Sequence, residues 1–355
     1  MGEFAQIFPV PNAFVSYIRA FVDEDLAWIV GISYWFAYST AVSIELMFVF
    51  ELLQYWNLTS SQAAFILLAG FAIVIVINLF NISVFGMVQS IIGVLKMALC
   101  LGVAAALFTV VAKDLGDGFT NNAQFASSPI RAFCYAFPMV GFSYMGVESI
   151  AVTLPEARDV KSVMKAQPFH WVTSALYLLV SLGVTLVVSW NDPGLLSIYD
   201  QPIITRDVDN ISLLTRSVPA SISAAVLGIS GLNTDLTGFV NGGIIFSAIG
   251  AASTNLYIAS RTLHGLANSL HGNNSFSRPF RKFIGRVQPG TSVPLRAVIV
   301  SAIAFCWLPF LDFGSETSTS NRIQTIFMTF AEVSVIMVWA FTCVAFIRYY
   351  MWYVS

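Results

Sequence analysis

An all-α protein that crosses a membrane several times is the fold class this sequence predicts, and three observations predict it. Hydrophobic residues make up 57% of the 355 and Asp, Glu, Lys and Arg only 10%, with a mean hydropathy of +0.77, far from the balance of a water-soluble domain. Apolar, nearly charge-free windows recur at about 20 residues, the length that crosses a hydrocarbon core roughly 30 Å thick. The windows are continuous rather than alternating, which favours helices over a barrel, whose strands need only about ten residues each.

Eight windows qualify, near residues 26–53, 63–81, 84–112, 130–154, 170–190, 236–260, 294–312 and 323–347. The first carries Glu45 in "STAVSIELMFVF", the second is almost wholly aliphatic, and the third holds Lys96 in "SIIGVLKMALCLG". The fourth combines Pro138, Gly141, Gly146 and Glu148 around "GFSYMGVES". The fifth and seventh are uninterrupted by charge except Arg296 and Asp312 at the borders of the seventh, the sixth contains Asn255 and Tyr257, and the eighth contains Glu332 in "FMTFAEVSVIMVW".

Basic residues then set an orientation. Arg19, the group Arg158, Lys161 and Lys165, the segment from Arg261 to Arg296, and Arg348 fall on one side of eight alternating spans. Lys113, Arg131, Arg206, Arg216 and Arg322 fall on the other. The positive-inside rule makes the first side, and with it both chain termini, cytoplasmic. The sequons at Asn57 and Asn210 then face outward and are available to glycosylation. The whole chain, 1–355, reads as one transmembrane domain. Its connections include an outer, extracellular stretch at 191–235 with an interfacial or re-entrant helix, and a basic cytoplasmic loop at 261–293 near the lipid surface.

Other classes are disfavoured. A net charge of −2 gives no electrostatic reason to expect nucleic acid. Cys100, Cys134, Cys306 and Cys343 sit in apolar runs without metal spacing, so neither a disulfide framework nor a zinc site is expected. His170, His264 and His271 fall at span borders or in loops and form no metal pattern with acids, so no cofactor and no enzyme activity are expected. The first twenty residues lack the form of a secretory signal.

The ionisable groups inside the spans carry the functional question, because each costs about 2.5–3.5 kcal/mol at mid-membrane on insertion scales. Lys96 lies some 20 Å from either end of its span at 1.5 Å per residue, too deep for its stem to reach the interface. It reads either as the partner of a glutamate or helix carbonyls, or as a lysine that gains and loses a proton as its cavity opens. Glu45 and Glu332 read as interhelical hydrogen-bond formers or partners of Lys96. In the fourth span Pro removes a backbone donor and Gly relaxes the chain, so the helix is either broken into two halves lining a protected cavity or merely packed closely against neighbours.

Several ordered stretches resemble the fungal-type amino-acid permeases of the amino acid/polyamine/organocation superfamily. "GEFAQIFPVPNAFVSYIRAFVDEDLAWIVGISYWFAY" is similar to the family's passage from its second helix into its third. "GVLKMALCLG" is similar to its fifth-helix lysine segment and "FSYMGVES" to its broken sixth helix. "LPEARDVKSVMKA", "WNDPGLL" and "NLYIASRTLHGLA" are similar to the segments that follow.

The resemblance implies two inverted five-helix repeats, of which this chain would hold the third to tenth helices and lack the first and most of the second. It implies proton-coupled amino-acid uptake at the plasma membrane, with an amino acid and a proton as partners within the bilayer. Residues Phe142, Ser143, Tyr144, Met145 and Gly146 would meet the substrate, Phe142 or Tyr144 serving as gate or wall. Glu148 would hold the broken helix, Lys96 would carry the coupling proton, and Asn255 and Tyr257 would lie near the site. The family's first helix, which supplies the other broken segment, is expected to be missing. A shortened, non-transporting relic or membrane interaction protein is therefore the alternative.

Overall fold

In the computed structural model, residues 2–56, 58–113, 130, 133–134, 137, 140–141, 144–156, 169–187, 234–270, 277–290, 292–313 and 318–354 are described. Eleven α-helices run in order among them: α1 (Gly2–Ile7), α2 (Ala13–Phe21), α3 (Glu24–Leu53), α4 (Ser60–Leu79), α5 (Ile82–Lys113), α6 (Ser149–Thr153), α7 (Phe169–Val187), α8 (Thr234–Asn268), α9 (Ser277–Ile284), α10 (Leu295–Ala304) and α11 (Ser318–Val354). No strand occurs among the described residues, and the chain is an all-α multi-pass membrane protein.

Polar residues mark where the long helices begin. The Leu26 amide donates to Asp23 Oδ1 at 2.9 Å, the Val84 amide to Asn81 Oδ1 at 3.0 Å, and the Thr59 amide to Gln62 Oε1 at 3.0 Å. Each satisfies a donor that a helix end or the residue before it leaves open. These caps explain why α3, α4 and α5 start two or three residues before the apolar windows that predict them.

Five described helices are long and apolar enough to cross a membrane, over Glu24–Phe50, Ser60–Leu79, Ile82–Thr109, Gly238–Asn268 and Ile326–Val354. They coincide with five of the eight expected spans. Two further apolar helical stretches, Trp171–Leu186 and Leu295–Leu311, are shorter. The second changes from α10 into 3₁₀ turns at Leu308–Phe313, around Pro309, which cannot continue the α-helical ladder. The remaining window, 130–154, is described only in part. The expected interfacial helix lies outside the described residues, which resume at Thr234. The basic segment is less of a loop than expected, since α8 continues to Asn268 and α9 forms within it.

Helix α3 is central. Two thirds of its most apolar window is buried within the protein, against 22% for α5, so among the described residues α3 is the more enclosed of the two. Small polar residues let α3 approach its neighbours. Ser39 Oγ donates to Ser301 O at 2.6 Å, Ser43 Oγ to Phe305 O at 2.7 Å, and Trp35 Nε1 to Ser301 Oγ at 3.0 Å. Such interhelical bonds join segments for which the surrounding lipid supplies no hydrophobic drive.

Two contacts register the helices in depth. Asn241 Nδ2 donates to Leu52 O at 2.9 Å, setting the start of α8 beside the end of α3. Arg348 Nη1 donates to Val22 O at 3.2 Å, setting the end of α11 beside the start of α3. An aromatic cluster of Phe4, Phe8, Tyr17, Phe21 and Tyr349 ties the N-terminal helices to α11 there. Tyr17 Oη donates to Phe8 O at 2.6 Å, and burial pushes its phenol up to about 12.

Candidate functional site

The fourth expected span is not a continuous helix where it is described. Residues 144–148 form turns, with the Tyr144 amide donating to Gly141 O at 3.1 Å and the Val147 amide to Tyr144 O at 3.3 Å. These i to i−3 contacts are tighter than the i to i−4 ladder of an α-helix. Gly146 has φ +104°, and among the described residues no atom lies within 4 Å of where a Cβ would stand. Its conformation is one that only glycine adopts easily. The short helix α6 starts directly afterwards at Ser149.

Glu148 is the hub of this break. It is 1% exposed, and four donors converge on its carboxylate. Tyr38 Oη donates to Oε1, joined by Tyr34 Oη at 3.4 Å. Trp339 Nε1 donates to Oε2 at 3.1 Å and the Gly146 amide at 3.2 Å. Two carboxylate oxygens offer about four lone-pair positions, so the acceptor capacity is matched by its surroundings. Tyr34 and Tyr38 stand one turn apart on α3, and their rings meet edge to face at 4.8 Å. Glu148 therefore joins the turn to α3 and α11. Tyr34, Tyr38 and Trp339 are absent from the sequence-derived candidates, and the i, i+4 tyrosine pair in "SYWFAYST" was the available signal.

Tyr144 is exposed and Met145 half-buried, the latter packed against the main core cluster. Phe142, Ser143 and Pro138 lie outside the described residues. Asn255 is half-buried on α8. Tyr257, buried on the same helix, has its polar end committed. Its Oη donates to Glu156 Oε2 at 2.7 Å, its ring stacks on Phe85 at 4.6 Å, and the Arg261 guanidinium lies 4.2 Å over the ring. Arg261 Nε in turn meets Glu156 Oε1 at 3.4 Å.

A cavity of about 320 Å³ opens beside this group, between α5, α6 and α8. Its surface is mostly apolar although Gln89, Ser149, Thr153, Glu156 and Thr254 stand around it, and Gln89 Nε2 has no acceptor among the described residues.

Lys96 lies on α5 in a groove that Gly250 opens in α8. A Cβ on Gly250 would stand 3.5 Å from Lys96 Nζ and 2.6 Å from Ile92 Cγ2. Glu45 and Lys96 are near enough to influence one another electrostatically. Among the described residues, however, the ion pairs within 4 Å are Arg19–Glu24 and Arg261–Glu156, so this pair does not touch. Glu332 is 4% exposed on α11, seven residues before Trp339 and hence on nearly the same helix face. The three expected intramembrane acids thus take different positions: Glu148 in a bonded hub, Glu45 near Lys96, and Glu332 buried on the Trp339 face.

No group of three or more His, Cys, Asp or Glu side chains suited to a metal occurs among the described residues.

The family model described as "Amino acid permease" matches residues 1–352. Over 98% of the chain the sequence is 24% identical to amino acid transporter 1 of Schizosaccharomyces pombe, covering 57% of that protein. It is 26% identical to a lysine/arginine permease of Candida albicans, covering 98% of the chain and 58% of the relative. It is 24% identical to cationic amino acid transporter 1 of Schizosaccharomyces pombe, again over 98% of the chain and 56% of the relative. The chain thus spans somewhat more than half the length of these relatives.

Proposed function

The chain belongs to the amino acid permease family, and from that premise we propose that it serves amino-acid transport across a membrane, with the turn at 144–148 as part of the substrate path. The observation that carries the reading is the break itself. A positive-φ glycine interrupts the helix beside a buried carboxylate that takes four donors. Unwound backbone at membrane depth persists only where protein or a water-filled cavity covers it, and there its free amides and carbonyls serve as ligands. Tyr144, Met145 and Gly146, with Phe142 and Ser143 alongside, would meet the amino acid. Glu148 would fix the shape of the turn without touching the substrate. The cavity between α5, α6 and α8 would give the substrate a route along α6, past Thr254 and toward Asn255 and Tyr257.

Proton coupling is the finer part of the proposal. Lys96 has a groove at Gly250 and an acid, Glu45, within electrostatic reach but out of contact. A lysine so placed can exchange its proton as the helices around it shift. The relatives named as lysine/arginine and cationic amino acid transporters make cationic amino acids the first substrates to screen. The proposed location is the plasma membrane, with both chain ends in the cytoplasm.

The test uses the protein translated from the complete transcript encoding this chain, reconstituted in vesicles with an imposed pH gradient. Uptake of at least one amino acid above the passive level, collapsing when a protonophore is added, is the expected result. Lys96→Met should abolish accumulation while leaving exchange of substrate across the vesicle wall. Accumulation that persists in that variant would remove Lys96 from coupling, and failure of a folded protein to take up any amino acid would remove transport.

A further inference from the structure

We propose that α9 is a docking surface for the headgroups of anionic phospholipids in the leaflet at whose surface it lies. The position of the helix comes first. Ile284 packs with Leu263, Ala267 and Ala297, which belong to the last turns of α8 and the first of α10. Arg281 Nη1 donates to Leu270 O at 3.2 Å, and Arg296 Nη1 donates to Phe283 O at 3.3 Å. The helix is therefore held against the ends of two apolar helices, at the depth where a bilayer presents its headgroups.

Its faces differ in chemistry. Ser277 and Ile284 are buried on one side, while Arg278, Pro279, Lys282 and Phe283 are exposed on the others. At 100° per residue Arg278 and Lys282 share a flank, and Pro279 and Phe283 form the next. Arg286 is exposed just beyond the helix, and Arg296 lies 4.8 Å from the Phe283 ring. From residue 262 to residue 311 the sequence contains no Asp or Glu, so no acid in this part of the chain neutralises the patch. A cationic flank beside a half-exposed phenylalanine complements a surface that is anionic outside and apolar within. The phosphate of any phospholipid meets the cations, and the extra negative charge of a serine-type or inositol-type headgroup adds to it.

The test titrates the full chain, in neutral detergent, with phosphatidylserine or phosphatidylcholine and counts bound lipid by native mass spectrometry. Because several cations face it, the charged lipid should bind at least about tenfold more tightly than the zwitterionic one. That preference should fall as salt is raised, vanish in Arg278→Gln/Lys282→Gln/Arg286→Gln, and survive in Arg278→Lys/Arg286→Lys. Phe283→Ser should weaken both lipids. Equal affinities, a preference retained by the triple variant, or displacement of the lipid by inorganic phosphate would each overturn the proposal. Should the triple variant not fold, the salt series and the lysine variant still decide it.

Discussion

Truncating Glu148 to alanine tests whether its carboxylate holds the turn. Four donors lose their acceptor in Glu148→Ala, but they do not lose it equally. The rings of Tyr34 and Tyr38 lie 4.8 Å apart by centroid, and their hydroxyls can turn toward each other. Trp339 Nε1 and the Gly146 amide only donate and are left partly buried without a partner. An unsatisfied buried donor costs about 1–3 kcal/mol, and partial burial places both toward the lower end, so the sum is about 2–4 kcal/mol. At 1.36 kcal/mol per factor of ten, the open form of the segment becomes about 30- to 1000-fold more populated. Glu148→Gln differs, because its carbonyl can face Trp339 and Gly146 while its amide group donates to the tyrosine oxygens. Hydrogen exchange across 141–156 measures this in the detergent-solubilised chain. The alanine variant should lose protection by at least about 30-fold, with glutamine within a few-fold of the parent. Alanine protected like the parent, or glutamine as damaging as alanine, would refute the account of the hub.

Gly146→Ala meets no atom of the described residues but places a Cβ at φ +104°, so it should cost about 1–2 kcal/mol in the turn, read as faster exchange confined to the segment. Gly250→Ala brings a Cβ within 2.6 Å of Ile92 Cγ2 and 3.3 Å of Lys96 Cε. Overpacking of about 1–3 kcal/mol should separate α5 from α8 and lower the melting temperature, and an unchanged melting temperature would contradict the close approach. Glu332 is buried on α11 and takes part in neither of the ion pairs found among the described residues, so Glu332→Gln should be neutral or stabilising in thermal unfolding. A loss above about 1 kcal/mol would reveal a partner.

Hydropathy made the membrane class legible because a span must be apolar along its whole length, whatever its neighbours. It located five long helices, and the polar caps Asp23, Thr59 and Asn81 account for the earlier starts of α3, α4 and α5. The break in the fourth window was only half legible, since Pro, Gly and Glu148 there fit close packing as well as an interrupted helix, and the positive φ of Gly146 decides between them. The partners of Glu148 were not. Tyr34, Tyr38 and Trp339 are aromatic residues in apolar runs, and sequence alone does not separate a tyrosine donating to a carboxylate from one at a lipid interface. Gly250 was equally silent, because its meaning lies in Lys96, 154 positions earlier. Helix α9 is hidden by Pro279 and three basic residues, a composition that reads as a solvated loop until Ile284 is seen packing on α8.

The geometry relates the two polar centres through α3. Glu45 follows Tyr38 by seven residues, which returns to nearly the same face of the helix about 10 Å further along its axis. Glu332 precedes Trp339 by seven residues on α11, which runs the opposite way, since the end of α11 meets the start of α3 through Arg348 and Val22. Both acids are therefore displaced from the Glu148 hub toward the same end of the molecule by the same distance. The hub fixes the turn against α3 and α11 together, so any motion of the turn loads the two helices that carry Glu45 and Glu332. Glu45 lies within electrostatic reach of Lys96. A shift of α3 driven by the turn would change that separation without a direct contact between the turn and the lysine. Coupling of this kind needs a rigid connection at one end and a loose pair at the other. The bonded Glu148 hub and the non-touching Glu45 and Lys96 have those two characters.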